Sequence, residues 1–290
     1  MRDIKPNVIH GHLPRAELLV SVLRTKSRKI ISKHNTERFI PEGNKILSKI
    51  FSYFVCHRVD IIIAISSAVK DFMLRSGEIP RKKQLTVVMY GMDLNNEVKQ
   101  NVIEALLQEL NVQKETTVFG TISRLVPQKD LSTQILAFNN YLFFNSNAVL
   151  VVIGDGPLLP ELKEMTANLE CKNKIFWYGK TPNIREALQV FDVFLLSSLY
   201  EGLGLVLLEA IQSNVPILAA DNSAIPEVLG TDFPGLFETS NWEDLSEKMI
   251  KTHDLNYLEV LLNAQEQRKQ FFDPTEMAKT IEKVYQGAIK

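Results

Sequence analysis

Glycines and carboxylates follow a short apolar strand predicted at residues 193–196. Gly202 and Gly204 allow the backbone to approach a ligand closely, because glycine has no side chain. A helix predicted to begin near Leu205 would direct its free N–H groups and the positive end of its dipole toward that ligand. The segment therefore predicts an anion site that suits a diphosphate.

Two glutamates accompany this anion site, Glu201 in the loop and Glu209 about one turn into the helix. Carboxylates are unsuited to binding phosphate, whereas they accept hydrogen bonds from hydroxyl groups. We therefore expect both to bind sugar hydroxyls. A lone Gly-x-Gly is more often an ordinary strand–turn–helix connection, and the two glutamates at this spacing argue against that interpretation.

Two cations, Arg124 and Lys129, follow a strand predicted at 117–122 and precede a helix. In a parallel sheet this edge faces the ligand crevice. Both cations could clamp a diphosphate there and stabilise it as it leaves with growing charge. Taken alone, two basic residues in a loop are more often solvated surface.

Two further loops after predicted strands contain glycines. Gly154 begins a Gly-Asp-Gly-Pro turn, for which a well-made strand-to-helix turn and direct ligand contact are equally good interpretations. Gly179 follows the next strand and is expected to border a base pocket through its backbone groups.

Histidines lie at the ends of two strands predicted in the first part of the chain. His10 and His12 are two residues apart, and no third ligand of suitable spacing accompanies them, so we do not expect a metal site. A histidine at the carboxyl end of a strand can instead contact a substrate hydroxyl. His34 follows the next strand in an equivalent place, where a structural role fits equally well.

These motifs need a sheet that brings strand ends together. Short β-branched runs alternate with helical patterns, and each run is apolar on both faces, as in a parallel sheet covered by helices. Repeated units of this kind predict an α/β, doubly wound fold. The predicted strands are 7–9, 29–32, 61–65, 86–89, 117–122, 149–153, 175–177, 193–196 and 215–219. The predicted helices include 99–110, 131–143, 158–169 and 205–213.

The predicted domain boundary is the segment Tyr90-Gly91-Met92-Asp93, which follows a strand and opens a polar, helix-rich stretch. About four strands precede it, whereas a complete Rossmann-like sheet has roughly six. We therefore expect a partial N-terminal domain at 1–92 and a second domain at 93–272. On the order of 80–100 residues are expected to be absent from the front.

The composition, with 45% hydrophobic and 23% charged residues in 290, is typical of a soluble globular protein. Cys56 and Cys171 lie far apart, which argues against a disulfide framework or a zinc site and fits a reducing compartment. No apolar run reaches the roughly 18 residues that span a bilayer, and the first residues lack the apolar stretch of a signal peptide. We expect a cytoplasmic protein.

The net charge of −1 is distributed unevenly. Residues 1–92 contain 17 Lys and Arg against 7 Asp and Glu, a balance of +10, and the remaining 16 basic and 27 acidic residues give −11. This excess favours an anionic partner such as the inner face of a membrane, although it could also serve only solubility. Nucleic acid is less favoured, because zinc-finger spacing and RNP-like aromatic patterns are lacking. The basic clusters are Arg24, Lys26, Arg28 and Lys29, and then Arg81, Lys82 and Lys83.

Together these residues resemble the retaining, GT-B-fold glycosyltransferases of family 4, the glycosyl transferases group 1 type. The specific part of the resemblance is the Glu-x7-Glu segment from Glu201 to Glu209. The supporting segments are Arg124 to Lys129, Ser66-Ser67-Ala68-Val69 and Tyr90-Gly91-Met92-Asp93.

The resemblance implies two Rossmann-like domains facing across a cleft, with the N-terminal acceptor-side domain incomplete and the domain at 93–272 binding the donor. It also implies that the last segment, 273–290, is a helix around 274–287 that crosses back to the first domain. Glu209 would hold the ribose and Glu201 the transferred sugar, while His12 would lie near the reacting sugar hydroxyls.

The resemblance further implies that Arg124 and Lys129 hold the donor diphosphate. Leu203 stands where the family usually has phenylalanine, a mild departure. The residues that would supply backbone N–H groups to the donor are Gly202, Leu203, Gly204 and Leu205.

The expected reaction is transfer of a hexosyl group from a UDP- or GDP-sugar to a sugar or lipid-linked acceptor hydroxyl, with retention, in polysaccharide or glycolipid synthesis. The sequence has no Asp-x-Asp motif, so we expect no metal cofactor and expect cations of the protein to meet the leaving-group charge. Two alternatives stay open. A sugar-nucleotide epimerase would need acid–base residues around the sugar ring, and a non-catalytic subunit would only bind the donor.

Overall fold

The computed structural model describes residues 4–39, 43–80, 83–92, 98–110, 112–113 and 115–289. They form two parallel sheets covered by helices, which confirms the predicted α/β fold class. The chain divides into two compact units. The first comprises Met1–Met92, Glu201–Leu203 and Phe271–Lys290, and the second comprises Asp93–Tyr200 and Gly204–Gln270. Asp93 of the predicted boundary segment lies outside the described residues.

The sheet of the first unit has four parallel strands in the order β1-β2-β3-β4 within the described residues. Its central strand Ile61–Ala64 is buried along its whole length, as expected for an apolar strand covered on both faces. The strands are β1 Val8–His12, β2 Arg28–Lys33, β3 Ile61–Ala64 and β4 Gln84–Val87. The helices joining them are α1 Leu13–Val22, α2 Lys45–Arg58 and α3 Ser67–Ser76.

The sheet of the second unit has six parallel strands in the order β10-β9-β8-β5-β6-β7 within the part of the chain that is described. Its strands are β5 Thr117–Ile122, β6 Ala148–Ile153, β7 Ile175–Gly179, β8 Val193–Leu196, β9 Ile217–Ala220 and β10 Leu236–Phe237. Its helices are α4 Gln100–Glu109, α5 Leu131–Tyr141, α6 Leu159–Thr166, α7 Ile184–Leu188, α8 Leu205–Gln212, α9 Ile225–Leu229, α10 Trp242–Lys251 and α11 Leu255–Arg268.

The last helix, α12 at Pro274–Ile289, belongs to the first unit. Its Met277, Ile281 and Val284 pack against the apolar core that includes Ile61 and Ile63 of β3. This helix therefore completes the hydrophobic core of a sheet whose strands lie about 200 residues earlier in the chain.

Several predicted boundaries were wrong by a few residues. β9 begins at Ile217 and not at residue 215, because Pro216 has no N–H group to donate to the sheet. β4 covers Gln84–Val87 and not 86–89, since its parallel register pairs Gln84 with Ile61 of β3.

Two predicted helices also end earlier than expected. α5 ends at Tyr141 because the N–H groups of Phe143 and Phe144 donate to carbonyls three residues earlier, to Asn140 at 3.2 Å and to Tyr141 at 2.9 Å. α6 ends at Thr166, whose hydroxyl donates to the Lys163 carbonyl at 2.8 Å before a separate turn of 3-10 helix at Glu170–Asn173.

Candidate functional site

The second sheet has a topological switch point between β5 and β8. The strands β5, β6 and β7 run outward on one side, and β8, β9 and β10 run outward on the other. The connections leaving the carboxyl ends of β5 and β8 therefore turn to opposite faces of the sheet, which opens a crevice where ligands bind in folds of this kind. These connections are residues 123–130 and 197–204.

Hydrogen bonds fix these two connections against each other. The Leu199 N–H donates to the Gln128 carbonyl at 2.8 Å, and the Gln128 side-chain amide donates to the Tyr200 carbonyl at 2.8 Å. The Ser197 hydroxyl lies 2.8 Å from the Lys129 carbonyl. The position of Lys129 in the crevice is therefore set by the strand end opposite it.

Asp130 holds the first connection in shape, a role that sequence reasoning missed. Its backbone is left-handed, with φ 43°, and its carboxylate accepts hydrogen bonds from Ser132 and Thr133 at 2.8 Å and from Ser240 at 2.9 Å. An Asp before Ser and Thr at a helix start is a sequence pattern that could have indicated this local bonding.

The start of α8 opens into the same crevice. Gly204 precedes the helix with φ 78°, a left-handed conformation that glycine adopts without strain. Its carbonyl accepts from the Leu207 N–H at 2.8 Å. The N–H groups of Leu205 and Val206 lie in the first turn, where a helix has no internal acceptor for them, so they are available to an anion.

Charged side chains lie on the connection after β5 and on α8 itself. Arg124 is exposed and Lys129 is half-buried, both on the connection after β5. Glu209 lies in the second turn of α8, where burial raises the pKa of its carboxyl while nearby Arg185 opposes the rise. A half-buried carboxylate of this kind gains from hydroxyl donors, since they restore the hydrogen bonds that burial removes.

The glycines on the neighbouring connections are required for different structural reasons. A Cβ on Gly154 would lie 1.8 Å from the Ser123 carbonyl oxygen, and one on Gly156 would lie 2.4 Å from the Leu125 carbonyl oxygen. Close packing of the two loops therefore requires glycine at both positions without any ligand. Gly179 has φ 81°, and a Cβ there would meet nothing within 4 Å, so open space adjoins its backbone.

Glu201, Gly202 and Leu203 belong to the first unit. The Thr36 hydroxyl donates to the Glu201 carbonyl at 3.4 Å, and a Cβ on Gly202 would lie 1.8 Å from the His34 carbonyl oxygen. The residues Glu201 and Leu203 are both buried. Glycine at 202 is thus required by a close backbone approach.

Three histidines gather at the carboxyl edge of the first sheet. His12 Nδ1 lies 3.1 Å from His34 Nε2, and the Tyr90 hydroxyl lies 3.4 Å from each of these atoms. His10 bonds the hydroxyls of Tyr285 and Ser32, each at 2.8 Å. The structure therefore joins His34, for which a structural role was equally plausible, directly to His12.

These imidazoles are uncharged at neutral pH. Burial, helped by the neighbouring histidines, lowers the pKa of His10 and of His34 to about 4. Burial also lowers the pKa of His12. A neutral imidazole offers one donor and one acceptor nitrogen, so His12 can hydrogen-bond an uncharged hydroxyl in either sense.

A strained turn presents His12 at this edge. His12 ends β1 and Leu13 begins α1 at once, with φ 70° at Leu13, a conformation that costs a non-glycine residue about 1–2 kcal/mol. Gly11 lies beneath α1, where a Cβ would lie 2.9 Å from the Val20 side chain. Backbone strain of this kind clusters at functional sites, and the sequence pattern did not reveal it.

Ser66 of the supporting segment has a local role, because its side chain accepts from the Val69 N–H at 3.1 Å and caps α3. In the described part of the chain, no group of three or more His, Cys, Asp or Glu side chains is placed to hold a metal ion. Among the same residues, no helix combines the length and the apolar character needed to cross a membrane.

The fold is similar to that of solved glycosyltransferases with the GT-B fold. HepE from Anabaena, crystallised with UDP and glucose, superposes with a TM-score of 0.85 at 20% sequence identity, over 97% of this chain and 78% of HepE. The two α/β units, each with a parallel sheet, thus define a protein of the GT-B fold.

Sequence comparisons lead to the family. The family model of glycosyl transferases group 1 matches residues 77–271, and the chain belongs to this family. Alpha-monoglucosyldiacylglycerol synthase of Streptococcus pneumoniae is 28% identical over 75% of this chain, which spans 52% of that enzyme. An uncharacterized glycosyltransferase of Methanocaldococcus jannaschii is 26% identical over 98% of this chain and 78% of its own length. The resemblance to GT-B-fold glycosyl transferases of group 1 is confirmed.

Proposed function

We propose that the protein transfers a hexosyl group from a nucleoside-diphosphate sugar to an acceptor hydroxyl with retention of configuration. The observation that carries this proposal is that the connection bearing two cations and the start of α8 both lie at the switch point of the second sheet. This arrangement suits a diphosphate that gains negative charge as the glycosidic bond breaks.

The cations Arg124 and Lys129 and the amides of Leu205 and Val206 would stabilise the departing nucleoside diphosphate. Fixed donors of this kind need no reorganisation during the reaction. In a front-face transfer, the acceptor oxygen bonds to the anomeric carbon on the face that the diphosphate leaves, and the acceptor proton passes to the leaving oxygen. No protein nucleophile is needed for this step.

The carboxylates and His12 would orient the hydroxyl groups. Glu209, whose pKa is raised by burial, is proposed to accept hydrogen bonds from the ribose. Glu201 is proposed to bind hydroxyls of the transferred sugar, with backbone N–H groups of 202–205 near the donor. Neutral His12 is proposed to bond a hydroxyl of that sugar at the reacting end.

The donor and acceptor classes are suggested by relatives. HepE was crystallised with UDP and glucose, so a UDP-hexose is the first donor to test, with a GDP-hexose second. The S. pneumoniae relative is named for synthesis of a glucosyl diacylglycerol. Together with the balance of +10 over residues 1–92, this favours a lipid-linked acceptor at the inner face of an anionic membrane.

The test is incubation with UDP-hexose and a panel of diacylglycerol, polyprenyl-diphosphate-sugar and free sugar acceptors, followed by NMR of the products. Hexosyl transfer with the anomeric configuration of the donor is expected. A donor sugar epimerised without any acceptor would instead support an epimerase. Nucleotide binding with no turnover on any acceptor would support a non-catalytic donor-binding subunit.

A further inference from the structure

Helix α2 has its large apolar side chains on the outside. Ile46, Ile50 and Phe51 are 69%, 57% and 43% exposed, and Leu47, Tyr53 and Phe54 are exposed as well. A surface helix ordinarily directs such residues to the core. α2 does the reverse over about four turns.

The inward face of α2 is small and partly polar. Ser48, Ser52, Val55 and Cys56 are its buried residues. The Ser52 hydroxyl donates to the buried carboxylate of Glu78 at 2.7 Å. The orientation of α2 is therefore fixed by a hydrogen bond to the interior, and its apolar face is left to the outside.

The same unit buries a charged pair, Lys33 and Glu17, at 2.5 Å. Both side chains are almost fully buried, in a unit whose core is mostly apolar. On α2 itself, small and partly polar residues inside and large apolar residues outside are the opposite of the distribution that suits water.

The charge on α2 is entirely positive. Lys45, Lys49 and Arg58 are exposed and the helix contains no acidic residue. Arg58 lies over the Phe54 ring at 4.6 Å from its centroid, so cation and apolar surface are adjacent. A groove of about 790 Å³ adjoins the helix, with Ile46, Ile50 and Tyr53 in its lining together with the buried Glu78.

We propose that the outward face of α2 docks onto the surface of an anionic lipid bilayer, with its apolar side chains inserted and its cations among the headgroups. An interfacial helix combines these two features, and anionic lipids complement a helix whose charged residues are all cations. A second copy of the chain is disfavoured, because a symmetric contact would set the same cations against one another.

This assignment rests on the proposed function for the lipid-linked acceptor, and it adds α2 to the exposed Arg24 and Lys26 of the first basic cluster as a contact surface. Arg28 is paired with Asp60 at 3.1 Å. Lys83 donates to the carbonyls of His57 and Val59 at the end of α2, so it supports the helix from within the protein. Arg81 and Lys82 lie outside the described residues.

The test is co-sedimentation with vesicles of phosphatidylcholine containing zero to 40% phosphatidylglycerol, at low and high salt, about 0.05 and 0.5 M. The double variant Leu47→Ser/Phe51→Ser should bind anionic vesicles at least about tenfold more weakly than the unmodified protein. Lys45→Gln/Lys49→Gln should weaken binding about fivefold per charge at low salt and far less at high salt.

Matched controls lie in the second unit. Leu255→Ser/Phe143→Ser removes side chains that are 78% and 77% exposed, and Lys163→Gln/Lys172→Gln removes two exposed cations. Neither should change vesicle binding. Circular dichroism and thermal melting check that every variant is folded, which is expected because the substituted side chains are exposed.

Two readouts separate this inference from the proposed function. UDP binding by calorimetry should be unchanged in the α2 variants, because Arg124, Lys129 and Glu209, which are proposed to bind UDP, all lie in the second unit. Equal binding to neutral and anionic vesicles, equal losses in the control variants, or a dimer that Leu47→Ser/Phe51→Ser dissociates would overturn the docking surface. UDP binding without vesicle binding would overturn only the surface, and vesicle binding without UDP binding would overturn only the proposed function.

Discussion

The carboxyl edges of the two sheets differ in charge and in how they are built. The edge of the second sheet presents Arg124, Lys129 and the free amides of α8. The edge of the first sheet presents imidazoles whose pKa values burial holds low, to about 4 for His10 and His34. One edge therefore suits a multiply charged anion, and the other suits uncharged hydroxyl groups.

Each edge is also stabilised by a different kind of hydrogen bond within itself. Backbone carbonyls and amides join the connections after β5 and β8, as in the Leu199–Gln128 bond at 2.8 Å. Side chains distant in sequence join the histidine edge, as in the His10–Tyr285 bond at 2.8 Å. An anion site can therefore be built from local turns, whereas the neutral hydroxyl site of this protein depends on packing between residues distant in sequence.

The largest effect is expected from removing both cations of the second edge. Arg124→Ala/Lys129→Ala should lower kcat with UDP-hexose by about 10³-fold or more, since each fixed donor to developing charge is typically worth about 10²–10³. Steady-state kinetics measures it, with Lys163→Ala/Lys172→Ala as the control for lost charge. A fall of less than tenfold in the first variant would contradict the role of these cations.

The second prediction separates glycines that pack loops from glycines that border open space. Gly154→Ala should lower the free energy of unfolding by about 3 kcal/mol or more, because its Cβ would lie 1.8 Å from the Ser123 carbonyl oxygen. Gly179→Ala should cost only about 1–2 kcal/mol, the strain of its left-handed backbone. Urea unfolding measures both, and equal losses would refute the distinction.

The third prediction divides donor recognition between the two glutamates. Glu209→Ala should weaken binding of UDP and of UDP-hexose alike, by about 1.5–3 kcal/mol, the usual value of a hydrogen bond to a charged group. Glu201→Ala should weaken the binding of UDP-hexose by a similar amount and leave the binding of UDP unchanged. Calorimetry with both ligands decides the matter. Equal losses for both ligands in both variants would refute the division.

The fourth and smallest effect concerns the first edge. The folded protein holds His10 and His34 at a pKa of about 4, below the ordinary 6.5, so the unfolded chain binds more protons between these values. The free energy of unfolding should therefore fall as pH is lowered from 6.5 toward 4. Each histidine contributes less than about 1.4 kcal/mol per pH unit, because both are only partly buried.

Denaturant unfolding at several pH values measures this slope. His34→Gln should flatten it, whereas His57→Gln on the exposed face of α2 should leave it unchanged. A slope that is the same in both variants would show that the histidine edge is not the source of the pH dependence.

Strands that are long apolar runs could be predicted closely from the sequence. β5 and β8 fall at the predicted 117–122 and 193–196, because consecutive buried residues leave a continuous apolar pattern. β10, with two residues, leaves no such pattern and was missed. Which face of α2 is buried was not predicted, because its small residues Ser48 and Ser52 are buried while its large apolar residues are exposed.

The candidate site was also predicted only in part from the sequence. The connections after β5 and β8 are visible in sequence because glycines and charged residues follow apolar strands directly. The bond from His12 to His34, the Tyr90 contact and the strained Leu13 depend on register between strands, which no local pattern specifies. The roles of the donor-binding residues, and the domain limits 1–92 and 93–272, stay predictions.

The most direct measurement is a calorimetric titration of the protein with UDP and with GDP, in metal-free buffer and at about 0.15 M salt. We predict saturable binding of at least one of them, with one site per chain. This binding should be lost in Arg124→Ala/Lys129→Ala and kept in Lys163→Ala/Lys172→Ala. No heat with either nucleotide at millimolar concentration, or equal binding by both double variants, would contradict a diphosphate site between β5 and β8.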